Sequence, residues 1–236
     1  MRISVVCNDT RGGIQPYVAL ALGLKAAGHE VRAVAPSDLA GMFNEAGIPV
    51  VGMAGSVEAV ARGSADAAEK GSVSSLRLTM REMPKYIKAW TDQTLEACQG
   101  VEAITGGLGG MVVGLPVAEK LGVTFMRAEL QPIDAPTDAY PGVLVPGVPR
   151  WLGSFGRRLS HTLTGLGVNM LMGPALSAAR KRLGIKGRHD AMAGTPTLYG
   201  FSPLVVPLPQ GGPRPRIATG YWVQPTPASW QKCLAT

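Results

Sequence analysis

The chain has 236 residues, of which 46% are hydrophobic and 17% are charged, a composition compatible with one large α/β domain with an ample core. Its three cysteines lack C-x-x-C spacing, which argues against a disulfide framework or a zinc site, and no uncharged apolar stretch is long enough to span a bilayer. The net charge of +7 fits an anionic membrane surface or an ordinary solvated basic surface, whereas the sequence has no nucleic-acid recognition motif.

The first thirty residues predict a strand, a helix and a second strand in succession. An apolar strand covers Ile3 to Cys7, a loop covers Asn8 to Gln15, a helix begins at Pro16 and ends at Gly28, and a strand covers Glu30 to Ala35. Ligands of parallel sheets bind at the carboxyl ends of strands, against helix N-termini. We therefore expect chemistry within Asp9 to Gln15, although a tight turn alone would also explain Gly12 and Gly13. The loop has neither a dinucleotide fingerprint nor a phosphate loop, so NAD and ATP are not indicated.

The remaining chain continues the alternation of helices and strands. Predicted helices comprise one capped within Pro36 to Asp38 that ends near Ala46, Ser75 to Gln99 with a kink or break at Pro84, Val112 to Leu121, and a basic segment from Arg150 onward that Gly173-Pro174 divides in two. Predicted strands cover Ile48 to Val51, Ala103 to Thr105, Val123 to Ala128, Leu198 to Val206 and Ile217 to Tyr221. This order predicts an α/β fold, a Rossmann-like parallel sheet with helices on both faces.

Polar residues near the predicted strand ends provide further candidates. Glu129 follows the fifth strand, where a solvated or arginine-paired glutamate is the alternative to a catalytic one. Four glycines among residues 106–110 permit close approach of a ligand or of the next helix. Asp134 and Asp138 lie on a proline-rich loop, where solvation explains them better than metal binding, and we predict no metal. The histidines show no acidic or nucleophilic partner, so we predict no catalytic triad.

The basic segment after Arg150 also has two interpretations. Trp151 and Leu152 lie beside arginines and would dock on a membrane that carries a lipid acceptor. In the other interpretation, the helix packs on the sheet and its basic ends are solvated.

A resemblance to a known family adds to these predictions. Residues 10–31 read T-R-G-G-I-Q-P-Y-V-A-L-A-L-G-L-K-A-A-G-H-E-V. This run closely resembles the opening of GT-B glycosyltransferases of sterols, lipids, macrolides and glycopeptide antibiotics, whose N-terminal domain is similar to that of glycosyltransferase family 28. Further matches follow in order: A-E-K-L-G-V at 118–123, L-Q-P at 130–132, L-V-P-G-V-P at 144–149, L-Y-G-F-S-P at 198–203 and T-G-Y-W at 219–222. The ordered set spans nearly the whole chain.

The resemblance implies one half of a larger architecture. Family members have two Rossmann-like domains across a cleft, of which the N-terminal one binds the acceptor and the C-terminal one binds a nucleotide sugar, such as a UDP- or dTDP-sugar. Complete enzymes transfer a hexosyl group to a hydroxyl of a lipid, sterol or secondary metabolite, without a further cofactor. By this resemblance, residues 1–220 form the acceptor-binding domain, residues 221–236 begin the interdomain linker, and the donor-binding domain is absent.

The resemblance also implies partners and a location. The expected partners are an apolar, hydroxyl-bearing acceptor and a separate donor-binding domain, with no nucleic acid. The N-terminus lacks the apolar core of a signal peptide, so we expect a cytoplasmic protein. Peripheral contact with the inner face of the membrane is a further expectation.

The same resemblance points to site residues. It implies substrate binding by Thr10, Arg11, Gly12, Gly13, Gln15, Glu129 and Gln131. Where the family has T-R-G-D, this chain has Gly13, and glycine cannot take the proton of an acceptor hydroxyl. Asp9, four residues earlier, is the candidate substitute base. The first hypothesis is the acceptor half of a glycosyltransferase, inactive alone. The alternative is a non-catalytic module that binds an apolar small molecule or a partner protein.

Overall fold

The structure, a computed structural model, describes residues 1–55, 86–133, 136–186, 196–208 and 215–224. Its strands form one parallel sheet of seven strands in the order β3-β2-β1-β4-β5-β6-β7. The strands are β1 Arg2–Val6, β2 Glu30–Pro36, β3 Val50–Met53, β4 Ala103–Gly106, β5 Thr124–Glu129, β6 Thr197–Tyr199 and β7 Arg216–Ala218. The strand order reverses between β1 and β4, and parallel sheets bind ligands in the crevice outside such a reversal.

Helices connect most of these strands. They are α1 Arg11–Ala26, α2 Gly41–Glu45, α3 at the helical residues 86–97, α4 Leu108–Leu121 and α5 Gly153–Arg182, and a short 3-10 helix, Arg150–Leu152, precedes α5. Helix α3 is the described part of the helix predicted from Ser75 to Gln99. The predicted break at Pro84 lies outside the described residues.

Both faces of the sheet are covered, because successive residues of a strand point to opposite sides. On β1, the fully buried Val5 packs in a cluster with Val18 of α1. The next residue, Val6, is also fully buried and packs in a second cluster with Met111 of α4 and Ala179 of α5. The predicted α/β fold with helices on both faces of a parallel sheet is confirmed.

Helix α1 begins earlier than predicted. The sequence predicts a first helical position at Pro16, whereas the helix starts at Arg11 and contains Pro16. The amides of Gly13 and Ile14 both donate to the Thr10 carbonyl at 3.0 Å, which closes the first turn ahead of the proline. Proline keeps a helical φ and removes one backbone hydrogen bond, a loss that burial of one face of α1 offsets. Both glycines of the predicted loop therefore lie in the first helical turn.

Helix α5 runs unbroken through Gly173-Pro174, where the sequence predicts a division. Pro174 has no N–H to donate to the carbonyl of Met170, one turn earlier. Met170 is 66% exposed, so this turn of the helix faces solvent, where water can replace a missing donor. The helix therefore tolerates the proline without a break.

The helix predicted between β2 and β3 is also shorter than expected, and α2 has only five residues. Ser37, one of the predicted capping residues, contacts β3 instead: its amide and its hydroxyl donate to the Met53 carbonyl at 3.0 and 2.5 Å. The chain therefore stays beside the sheet edge before α2 begins. Strands β6 and β7 end before the predicted Val206 and Tyr221.

Candidate functional site

A cavity of about 380 Å³ opens at the carboxyl ends of the central strands. Its wall is formed by the loop after β1, the first turns of α1, the start of α4, and the end of β5 with the segment after it. The residues that line it are Asp9, Gly12, Gly13, Tyr17, Leu108, Glu129, Leu130, Gln131 and Ile133. The cavity thus lies at the reversal of strand order, where a parallel sheet is expected to bind a ligand.

The Asp9 carboxylate lies against the first turn of α1, directly beside Gly13. A Cβ atom added at Gly13 would lie 2.2 Å from Cγ of Asp9 and 2.4 Å from its Oδ2. The carboxylate therefore occupies the space in which an aspartate side chain at residue 13 would begin. Asp9 Oδ1 accepts hydrogen bonds from the Thr10 amide at 2.6 Å and from the Thr10 hydroxyl at 3.3 Å. The N-terminal end of a helix attracts negative charge, so this is a favourable place for a carboxylate.

A buried ion pair lies at the end of β5. Arg127 donates to Oε1 of Glu129 through Nη2 at 2.7 Å and through Nε at 3.1 Å. Their side chains are 1% and 3% exposed, and residues two apart on a strand share one face. A buried charge is tolerated when a partner satisfies it, so each residue requires the other. The predicted arginine-paired alternative for Glu129 is confirmed, and the solvated one is wrong.

Tyr17 joins α1 to the end of β5 beside the cavity. Its hydroxyl donates to the Ala128 carbonyl at 2.9 Å, and its ring lies 6.1 Å from that of Trp222. Burial, and next the Glu129 carboxylate, raise the pKa of Tyr17 well above its usual value, so the phenol stays protonated as a donor. Burial likewise raises the pKa of the Cys7 thiol, which excludes a thiolate nucleophile at this strand.

The glycines at the start of α4 allow the chain to pack closely on itself. A Cβ atom at Gly109 would lie 2.0 Å from the carbonyl oxygen of Asn8, and one at Gly110 would lie 1.9 Å from that of Val6. No residue with a side chain fits at these distances. Of the two predicted alternatives, the close approach of the next helix is therefore the one that the structure confirms.

Several predicted site residues meet at the cavity. Asp9, Gly12, Gly13, Glu129 and Gln131 all form part of its wall. Thr10, Arg11 and Gln15 are exposed and do not line it, and their contact with a substrate stays a prediction.

Other wall residues were missed at the sequence level. Tyr17 falls within the predicted first helix, where its sequence position gives no sign of a site, and Leu108, Leu130 and Ile133 are apolar. The sequence does contain one indication of the ion pair: Arg127 is a charged residue within an otherwise mostly apolar predicted strand, two residues before Glu129.

Metal binding and membrane crossing find no support in the described ranges. No group of three or more His, Cys, Asp or Glu that could hold a metal occurs among the described residues. Asp138 is bound instead by Arg158, whose hydrogen bond lowers the pKa of that carboxyl, and Asp134 lies outside the described residues. No helix in that part of the chain is long and apolar enough to cross a membrane.

Comparison with known proteins places these features in a family context. The chain is 26% identical over 237 residues to a sterol 3-beta-glucosyltransferase of Emericella nidulans, a match that covers 98% of this chain and 16% of that protein. It is 33% identical over 146 residues to glycosyltransferase GtfE of Amycolatopsis orientalis, covering 59% of this chain and 33% of the relative. No family model matches the chain.

Solved structures share the fold. Glycosyltransferase SnogD from Streptomyces nogalater superposes with a TM-score of 0.57 at 20% identity, covering 91% of this chain and 50% of that one. The chain resembles the N-terminal domain of GT-B glycosyltransferases. The fold of this GT-B-like domain also matches glycosyltransferase VinC in complex with dTDP, with a TM-score of 0.54 at 15% identity, over 91% of this chain and 52% of that one. It spans about a sixth of the sterol glucosyltransferase and about half of each solved structure.

Proposed function

We propose that this chain is the acceptor-binding half of a glycosyltransferase that moves a hexosyl group from a nucleotide sugar to a hydroxyl of a lipid, sterol or secondary metabolite. The likeness to a sterol glucosyltransferase over nearly the whole chain supports the acceptor class. The match to about half of each solved structure supports a donor-binding domain as the second partner. In this proposal, residues 1–220 bind the acceptor, residues 221–236 begin the linker, and the chain is inactive alone.

The observation that carries the proposal is the Asp9 carboxylate at the cavity wall. Its Oδ1 is held by Thr10, whereas no group among the described residues donates a hydrogen bond to Oδ2. In the proposed reaction, Oδ2 takes the proton of the acceptor hydroxyl while the hydroxyl oxygen forms a bond to the anomeric carbon of the sugar. The bond from that carbon to the nucleoside diphosphate breaks, and its electron pair leaves with the diphosphate.

The other wall residues suit acceptor binding. Glu129 is held in place by Arg127, so its carboxylate provides a fixed hydrogen-bond acceptor for a substrate hydroxyl. Leu108, Leu130 and Ile133 add apolar surface, as an apolar acceptor requires. The cavity therefore combines one accessible carboxylate, one fixed carboxylate and an apolar wall.

The test is sugar transfer in a mixture of this chain, a separately produced donor-binding domain of a relative, nucleotide sugars and a sterol or lipid acceptor. We expect transfer only when both halves are present. Asp9→Asn keeps the shape and removes the base, so the rate should fall about a hundred- to ten-thousand-fold while retention of acceptor by the chain is unchanged. The control Glu30→Gln removes an exposed carboxylate at the amino end of β2, away from the cavity, and should leave the rate unchanged.

Gly13 provides a second arm of the test. Gly13→Ala puts a methyl group where the Asp9 carboxylate lies and should lower the rate by displacing that carboxylate. Asp9→Gly combined with Gly13→Asp moves the carboxylate to residue 13 and should recover part of the transfer. Transfer by Asp9→Asn at the native rate would contradict the proposed base. Acceptor retention without transfer in any mixture would favour the non-catalytic binding module.

A further inference from the structure

Helix α5 and the turn before it expose a continuous row of large apolar side chains. We name this row the apolar stripe; its members and their exposed fractions are Trp151 83%, Phe155 69%, Leu159 44%, Leu163 45%, Leu166 60% and Met170 66%. The five members on α5 are spaced by four, four, three and four residues. At about 100° per residue, they fall within roughly a quarter of the helix circumference and extend along about 20 Å.

The stripe is not the face by which α5 packs on the described chain. Along the length of the stripe, the packed face is formed by small and polar residues, and Gly156, Ser160, His161 and Thr164 are buried there. Ser160 Oγ accepts a hydrogen bond from the Gly142 amide at 2.7 Å, and Thr164 Oγ1 accepts one from the Leu144 amide at 3.3 Å. Hydrogen bonds to the preceding loop therefore hold the first half of the helix, and Ala175 and Ala179 pack in the core farther along it, while the stripe faces outward.

The sequence that contains the stripe is basic. Residues 139–189 contain eight Lys or Arg and no Asp or Glu. Arg150 lies beside Trp151, and Arg157 and Arg158 lie within the span of the stripe. Asp138 pairs with Arg158, and Arg157 donates to the backbone carbonyl of Asp138 rather than to a carboxylate.

We infer that the apolar stripe is a docking surface for an anionic lipid bilayer. A helix with one apolar face of aromatic and leucine side chains, flanked by arginines, lies flat in the boundary between headgroups and acyl chains. Anionic headgroups attract juxtaposed basic residues, and the one carboxylate described above beside these arginines, that of Asp138, is paired with Arg158. This inference goes beyond the proposed function, because docking requires no glycosyl transfer.

A second copy of the chain fits the stripe less well. Two stripes in contact would bring the same arginines together, and like charges across an interface oppose association. A bilayer with anionic lipid provides both the apolar interior and the opposite charge. The bilayer is therefore the occupant that the charge pattern favours.

The experiment is sedimentation of the chain with vesicles of phosphatidylcholine, with and without phosphatidylglycerol. We expect binding to the anionic vesicles that weakens as salt is added, and at least about tenfold weaker binding to the neutral ones. The triple variant Phe155→Ser, Leu163→Ser, Leu166→Ser should lose about tenfold or more of the binding to anionic vesicles. Circular dichroism of each variant would verify that it remains folded.

The matched control replaces three exposed apolar residues outside the stripe, in Leu204→Ser, Val205→Ser, Val223→Ser, whose side chains are 95%, 66% and 75% exposed. This variant should bind anionic vesicles as the native chain does. Equal vesicle binding by the native chain and the folded stripe variant would overturn the inference. A dimer in analytical ultracentrifugation that the stripe variant abolishes, without vesicle binding by the native chain, would overturn it in favour of a second copy.

Discussion

Helix α1 buries its apolar face, whereas helix α5 exposes an apolar face. Helix α1 buries Ile14, Tyr17, Val18 and Ala21 against the sheet and leaves Arg11 and Gln15 exposed. Helix α5 buries small and polar residues and exposes the apolar stripe. Each helix contains an internal proline, so helix-breaking residues do not explain this difference in burial. Helix α1 therefore packs one face on the sheet and contacts the cavity through its first turns, whereas α5 has an apolar side that remains exposed.

The largest expected effect is on the free energy of unfolding, and it tests whether the apolar face of α1 is packed while the stripe on α5 is not. Ile14 is fully buried, so Ile14→Ala leaves a core cavity and should lower the free energy of unfolding by about 2–5 kcal/mol. Leu166→Ala removes a side chain that is 60% exposed and should change it by less than about 0.5 kcal/mol. Urea unfolding followed by circular dichroism measures both. Similar losses in the two variants would break the contrast and show that the stripe is packed within the chain.

A smaller effect is expected from the polar face of α5. Ser160→Ala leaves the Gly142 amide without the acceptor that it contacts at 2.7 Å, and should lower the free energy of unfolding by about 1–2 kcal/mol. The control Ser177→Ala lies on an exposed part of the same helix and should cost less than about 0.5 kcal/mol. Equal costs in the same urea titration would show that hydrogen bonds to the loop do not hold α5.

The smallest expected effect depends on pH. Arg158 lowers the pKa of Asp138 through a hydrogen bond and then through its charge. A carboxyl whose pKa is lower in the folded chain contributes stability above its unfolded pKa of about 3.9, and this contribution disappears as the pH falls through the folded pKa. Arg158→Gln should therefore be slightly less stable than the native chain at neutral pH, and the gap should close below about pH 4. Both side chains are exposed, so the gap is small and shrinks with salt. A gap that widens in acid would contradict this sign.

Much of the fold was predictable from local patterns. The apolar run of β1, the glycine after α1 and the alternation of strands with helices predicted the parallel sheet, because these signals depend on residues close in sequence. Helix ends were predicted less well. Pro16 and Pro174 suggested a start and a break, yet both lie inside helices, since burial along α1 and solvent access at Met170 offset the lost hydrogen bonds.

The sequence by itself determined that Asp9, Gly13 and Glu129 lie near strand ends and that residues 139–189 are basic, because these are matters of order and composition. Only the tertiary structure decided that the Asp9 carboxylate fills the space at Gly13, that Arg127 is buried against Glu129, and that the apolar stripe faces outward. The path of the chain before a helix, the partner of a buried charge and the face that a helix turns to the core depend on contacts between distant residues. Local periodicity has no information about such contacts.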